Sequence, residues 1–328
     1  MSATRRQILK GSLGLATVAA MPGLVRAQTA DTVRFIAGFA PGGTVDTLAR
    51  RVAHSLTGKL APSVVVENRT GAGGQIAVQA TARSAPDGRT VLTTPMSMLG
   101  LYPHTYSKLP YDPFKDVEPV SMGCEFVFGF AVGPAVPESV KTVQDFWEWC
   151  RADPRRATYG SPGAGSVPHF VGALIGRAGG LDFQHAAFRG TQPAILDMIG
   201  GQIPAVSGPV GEFLPHLEGG KVRIIATSGA ERTRFAPDVP TLAEQGLKDL
   251  VFSEWFGFYV PAGTPKAEID KLNKYIREAL KTSEVIDGLA TMGLEAKGST
   301  PEELRERLAA DTKQWGEIVK AIGFTAES

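Results

Sequence analysis

Cysteine is scarce in this 328-residue chain: only Cys124 and Cys150, with no Cys-x-x-Cys spacing between them. They either pair with each other or lie buried apart, and buried apart is the commoner state of two such thiols. With five scattered histidines they make no metal-ligand set, so no metal is expected. The Gly-x-Gly at Gly71-Ala72-Gly73 has Ile76 where the dinucleotide fingerprint needs its third glycine, and no Gly-Lys-Ser/Thr phosphate loop occurs. Gly-x-Ser-x-Gly and His-Glu-x-x-His are missing too, so cofactor-dependent, nucleotide-driven and common hydrolytic chemistries find no motif here. Charge of one sign is lacking as well. The net is +1, without the basic surplus that a nucleic-acid footprint requires.

That small net charge conceals an asymmetry. Four of the 34 basic residues (Arg5, Arg6, Lys10, Arg26) fall in positions 1–27, which hold no acid, so the rest of the chain is slightly acidic. The charged start is followed by a small-residue apolar stretch, 11–21, and then by Val25-Arg26-Ala27, a small-x-small cleavage pattern. About 11 apolar residues fall short of the ~20 that a membrane span requires. The segment reads as an export signal, twin-arginine-like from Arg5-Arg6 and Lys10, cleaved near Ala27 to release a periplasmic chain.

What remains is ordinary globular composition, 43% hydrophobic and 20% charged, long enough for two lobes. An apolar run at 33–39 precedes Pro41-Gly42-Gly43. Val45, Leu48, Ala49, Val52, Ala53 and Leu56 then recur at helical spacing. Short strands at 64–66 and 90–94, with a helix through Ile76 and Ala80 between them, predict βαβ units on a parallel sheet. The alternation restarts with a strand at 126–132, a helix face at Val143, Phe146, Trp147 and Cys150, and a strand at 157–159. The end is largely helical, over 265–280, 285–292 and 301–322, after a strand at 256–260. These segments predict an α/β fold of two lobes around a central cleft: 30–130 plus 253–328, and 131–252, with crossings near Phe130 and Phe256.

Three turns share one design, in which a strand ends, small residues reverse the chain and a helix begins. They contain Phe39-Ala40-Pro41-Gly42-Gly43-Thr44-Val45-Asp46, Gly71-Ala72-Gly73-Gly74, and Ser161-Pro162-Gly163-Ala164-Gly165-Ser166. Uncovered backbone N–H groups at a helix start hold carboxylate or phosphate without a lysine. In open α/β sheets such turns lie at the carboxyl ends of strands, where ligands bind. Thr191 opens a further helix and is either a plain cap or a ligand contact. Asp46 either orients the first turn by accepting N–H bonds or meets a ligand amine. Ser166 and His169 admit a nucleophile–base reading, beside the plainer one of a helix cap and a packed histidine.

At these turns the chain resembles the solute-binding receptors of tripartite tricarboxylate transporters, the Bug family. The likeness includes Pro41-Gly42-Gly43-Thr44-Val45-Asp46, Val66-Glu67-Asn68-Arg69, Ala85-Pro86-Asp87-Gly88, Leu109-Pro110-Tyr111-Asp112-Pro113, Asp238-Val239-Pro240-Thr241, Trp255-Phe256-Gly257 and Pro261-Ala262-Gly263-Thr264-Pro265. The resemblance implies a type II-like Venus-flytrap fold, no catalysis, no cofactor, and a small carboxylate held between the lobes for delivery to membrane transporter subunits. A monomer is expected. Carried over residue by residue, the ligand site would comprise Phe39, Ala40, Gly43, Thr44 and Asp46 from the first lobe. Ser161, Gly163, Gly165, Ser166 and Thr191 would come from the second, with Thr94 and Ser97 as weaker members. The family more often places acidic residues around Pro204 and Ser207. Neutral Ser207-Gly208-Pro209 here implies a lost amine-binding or hydrogen-bonding group, or room for a larger ligand, so Ser207 joins the candidates. A periplasmic serine hydrolase and a sensor feeding a membrane kinase are the competing functions.

Overall fold

The computed structural model describes residues 32–324, so the expected export signal lies outside the described residues. The first half runs β1 (Thr32–Ala37), α1 (Thr44–Leu56), β2 (Ser63–Asn68), α2 (Gln75–Ala82), β3 (Thr90–Pro95) and α3 (Tyr102–Thr105). A 16-residue strand, β4 (Val117–Val132), then leads into the second half. There α4 (Val143–Arg151), β5 (Thr158–Ser161), α5 (Val167–Ala178), β6 (Gln184–Ala187), α6 (Thr191–Ile199), β7 (Ala205–Pro209), α7 (Val210–Leu217) and β8 (Arg223–Thr227) follow one another. The chain returns through β9 (Ser253–Pro261) and closes with α8 (Lys266–Ala279), α9 (Ser283–Ala290), β10 (Glu295–Ala296) and α10 (Pro301–Ile322).

The two halves repeat one strand order. β1 pairs in parallel with β2 and β3, and β9 then adds antiparallel to β3. In the second half β5 pairs in parallel with β6 and β7, and β4 adds antiparallel to β7. The parallel sheet expected from the alternation is therefore confined to three strands per half, each bordered by an antiparallel strand that carries the chain across. β4 changes partners along its length. Residues Val117 to Val127 pair with β9, whereas Phe128 to Val132 pair with β7 and, on the other side, with β8. One strand thus belongs to both sheets, as an α/β fold of two lobes requires.

Local sequence accounts for the elements. In α1 the buried Val45, Leu48, Ala49, Val52, Ala53 and Leu56 form one apolar stripe, which packs on β2 and β1. α10 begins with a capping box, Thr300 and Glu303 exchanging hydrogen bonds, and has Pro301 in its first turn; its C-cap Gly323 adopts φ 66°. α4 carries the same device in Thr142 and Asp145. β3 is buried along its whole length, as a central strand covered on both faces should be. Cys124 and Cys150 are free and separately buried, the commoner of the two states foreseen for them.

The halves approach each other by backbone as well as by side chain. Gly211 in α7 lies so close to the Met292–Gly293 turn that an added Cβ would sit 1.4 Å from the Met292 carbonyl oxygen. Substitution Gly211→Ala therefore forces the two segments apart and should lower stability by about 1–3 kcal/mol. Urea unfolding of the variant measures this loss, and an unchanged midpoint would show that the segments are not held at this separation.

Candidate functional site

The turns that follow β1, β3, β5, β6 and β7 converge on one cavity. Its floor is aromatic: Phe126 and Phe128 from β4, and Phe256 from β9, with the Phe126 and Phe256 rings 4.4 Å apart. Around it stand Phe39, Ala40, Gly43 and Thr44 from the first turn, Ser97 from the turn after β3, Ser166 at the start of α5, and Thr191 and Gln192 at the start of α6. No lysine, arginine or histidine lines the cavity, but two acids do, Glu212 and Glu254.

The first turn is built around Asp46. Its Oδ2 accepts from the Gly42 N–H (2.9 Å) and Arg50 Nε (2.8 Å), and its Oδ1 accepts from Asn68 Nδ2 (2.8 Å). The same Asn68 amide donates to the Phe39 carbonyl oxygen, tying β2 to the loop. Burial pushes the Asp46 pKa up, but the bonds from Arg50, Gly42 and Asn68 outweigh it and hold the carboxyl below its ordinary range. Asp46 thus orients the loop from behind and does not line the cavity. Gly42, at φ 84°, takes the left-handed turn that this arrangement demands.

The turn after β5 is equally self-contained. Ser166 Oγ donates to the Gly163 carbonyl oxygen (2.6 Å), and the Gly165 N–H donates to His169 Nδ1 (2.9 Å). The His169 ring stacks on His185 at 3.8 Å, and burial, with His185 adding to it, pushes its pKa down to about 3. Ser161 Oγ lies 2.7 Å from His185 Nε2. Ser166 and His169 therefore bond to the loop backbone and not to each other, which matches the cap and packed-histidine reading. Gly163 faces Gly73 across the halves, where a Cβ would come within 3.2 Å of the Gly73 Cα.

Of the thirteen residues marked from sequence, Phe39, Ala40, Gly43, Thr44, Ser97, Ser166 and Thr191 line the cavity. Asp46, Thr94, Ser161, Gly163, Gly165 and Ser207 stand behind it. Thr94 bonds weakly to the Pro95 carbonyl, and Ser207 Oγ is buried with no partner among the described residues. Pro95, Gln192, Phe126, Phe128 and Phe256 escaped sequence reading, and so did the two glutamates. Glu254 had a visible signal, a single acid inside the apolar run 252–260. Glu212 had none, because an acid in the first turn of a helix is routine.

Those glutamates fill donor sites that the turns offer. Glu212 Oε1 accepts from Thr44 N (3.1 Å) and Thr44 Oγ1 (2.8 Å), so a second-half carboxylate closes the N-terminus of α1 in the first half. Glu254 Oε1 accepts from Ser97 N (2.8 Å) and Ser97 Oγ (2.5 Å), and Ser97 Oγ in turn accepts from the Val167 N–H at the start of α5. Burial raises the pKa of both acids, partly offset at Glu212 by Thr44, Gln192 and Thr191. At Glu254 burial prevails over the Ser97 bonds, nearby Asp311 adds to the rise, and the value is pushed up to about 7.

A carboxyl whose pKa is raised on folding stabilises the fold fully below its unfolded value, and that contribution is lost as pH rises through the folded value. For Glu254 the window runs from about 4.5 to about 7. At ~1.4 kcal/mol per pKa unit the loss is about 3 kcal/mol. Glu254→Gln keeps an acceptor for Ser97 but cannot ionise. The stability of the natural protein relative to this variant should therefore fall by that amount between pH 4.5 and pH 8 in urea titrations. A pH-independent difference would show that Glu254 is not held in a raised-pKa state.

Comparison with known proteins adds to this geometry. The family model described as tripartite tricarboxylate transporter family receptor matches residues 48–324. BugT of Bordetella pertussis is 32% identical over 314 residues, covering 93% of this chain and 94% of that protein. Among solved structures, MatC from Rhodopseudomonas palustris with bound malate superposes with a TM-score of 0.81 at 29% identity, covering 88% of this chain and 98% of that one. A second R. palustris protein, solved with adipate, gives 0.85 at 27% identity, with 90% and 98% covered. The two-lobed fold and the solute-binding class are thereby established, and the chain belongs to the tripartite tricarboxylate transporter receptor family.

Proposed function

We propose that this chain is a periplasmic receptor that captures a small organic carboxylate in the cavity between its halves and delivers it to membrane transporter subunits. The observation that carries this reading is the convergence of turns from both halves on one mostly apolar cavity. Ser166 and Thr191, at the starts of α5 and α6, stand at its wall. Such starts supply oriented N–H groups that hold anions without a formal positive charge. Relatives with malate and adipate bound support the ligand class. Residues 30–130 with 253–328 form one lobe and 131–252 the other, and β4 and β9 cross between them. Closure about those strands exchanges water around the ligand for preorganised protein dipoles. Residues 1–27 act as the export signal, cleaved near Ala27, and the mature protein works as a monomer without catalysis.

A thermal-shift screen of the purified protein, unfolded and refolded to strip any carried-over solute, tests this. The panel is C3–C6 mono- and dicarboxylates, citrate, acidic amino acids, nicotinate and benzoates. A true ligand at 100 times its Kd should add about 2.7 kcal/mol of stability. Shifts confined to a few acids are expected, and a flat response across the panel would refute a carboxylate cargo.

A further inference from the structure

Glu212 and Glu254 give the cavity a property that the carboxylate reading alone does not explain. Both are almost wholly buried, at 4% and 3% exposure, and both line the cavity. Neither takes part in an ion pair among the described residues, and every donor to them is neutral. In each, Oε1 takes two bonds, and at Glu254 the other oxygen is left unserved among the described residues. Glu212 is further met by Gln192 Nε2, 3.4 Å from its Oε2, and by the Thr191 side chain, whereas Glu254 Oε2 has no donor among the described residues. Buried carboxylates without a countercharge are costly unless something pairs with them. Asp311 near Glu254 adds further negative charge. The two best-formed anion positions, Thr44 and Ser97, are already taken by the chain's own carboxylates, so a ligand carboxylate brought there would meet like charge. What these positions lack is a cation with hydrogens to donate.

We propose that the cargo is an organic acid that also carries a protonated amine, with the ammonium facing Glu212 and Glu254. This inference rests on the carboxylate-receptor reading of the same cavity and narrows it from organic acids in general to amino-substituted ones. The ammonium supplies three donors, where Glu254 Oε2 has none among the described residues, and neutralises charge that the fold leaves unpaired. The carboxylate end then turns toward the start of α6, where Thr191 and Gln192 line the wall and Pro193 follows. Plain dicarboxylates of the same length have no group to offer the glutamates.

Isothermal titration at fixed pH with matched pairs tests this: glutarate against glutamate, adipate against 2-aminoadipate, and butyrate against 4-aminobutyrate. At least one amino acid should bind ten-fold or more tightly than its amine-free partner. Glu254→Gln and Glu212→Gln, each checked for folding by circular dichroism, should each bring that ratio toward one by weakening the amino acid. Two independent variants guard against either failing to fold. If amine-free acids bind as tightly or more tightly, the inference is overturned while the carboxylate receptor stands. Amino acids that keep their advantage in both variants would overturn it as well, because the glutamates would not be what reads the amine. If no acid of either series binds, the receptor reading and this inference fall together.

Discussion

Everything in this molecule depends on one strand being shared by two sheets. β4 pairs with β9 over its first two-thirds and with β7 and β8 over the rest. Because both sheets are hydrogen-bonded to the same backbone, the carboxyl ends of β1 and β3 in one half and of β5, β6 and β7 in the other are brought to face a common space. The residues of β4 and β9 at the changeover, Phe126, Phe128 and Phe256, become the floor of that space. The cavity follows from how the two sheets are joined, and the turns around it only decide what it accepts.

The turns themselves are rigid because each satisfies its own polar groups from behind. Asp46, Arg50 and Asn68 hold the first loop, and His169, His185 and Ser161 hold the loop after β5. This leaves helix starts facing inward at little conformational cost, the preorganisation that makes small-solute binding strong. It also explains why several residues that belong to the motif, such as Gly163 and Gly165, never touch the cavity. Gly163 lets backbones approach, against Gly73, and Gly165 takes a left-handed turn at φ 71°.

Two glutamates then alter what an anion-binding scaffold can do. By accepting from Thr44 and Ser97 they use donor positions that the fold presents, and they bring negative charge into an otherwise neutral cavity. Selectivity in such a site comes from which charges are left unpaired as much as from which contacts are made.

How much of this was legible in the chain varies with the range of the interaction. The apolar stripe of α1, the bounds of α10 with its Thr300 and Glu303 cap, and the small-residue turns after β1 and β5 are written in local spacing, so sequence alone fixes them. The motifs from Pro41 to Asp46 and from Pro261 to Pro265 likewise carry the family. The antiparallel entry of β4 and β9 could not be read, because apolar runs state that a strand is buried and not which partner it finds. Nor could the site be completed. Thr44 and Glu212 are separated by 168 positions, and Ser97 and Glu254 by 157, so no local pattern links them. Sequence determined the elements, the anion-ready turns and the family. Tertiary structure alone decided that two acids from distant segments occupy those turns, because only the meeting of the two halves brings carboxylate and donor within hydrogen-bond distance.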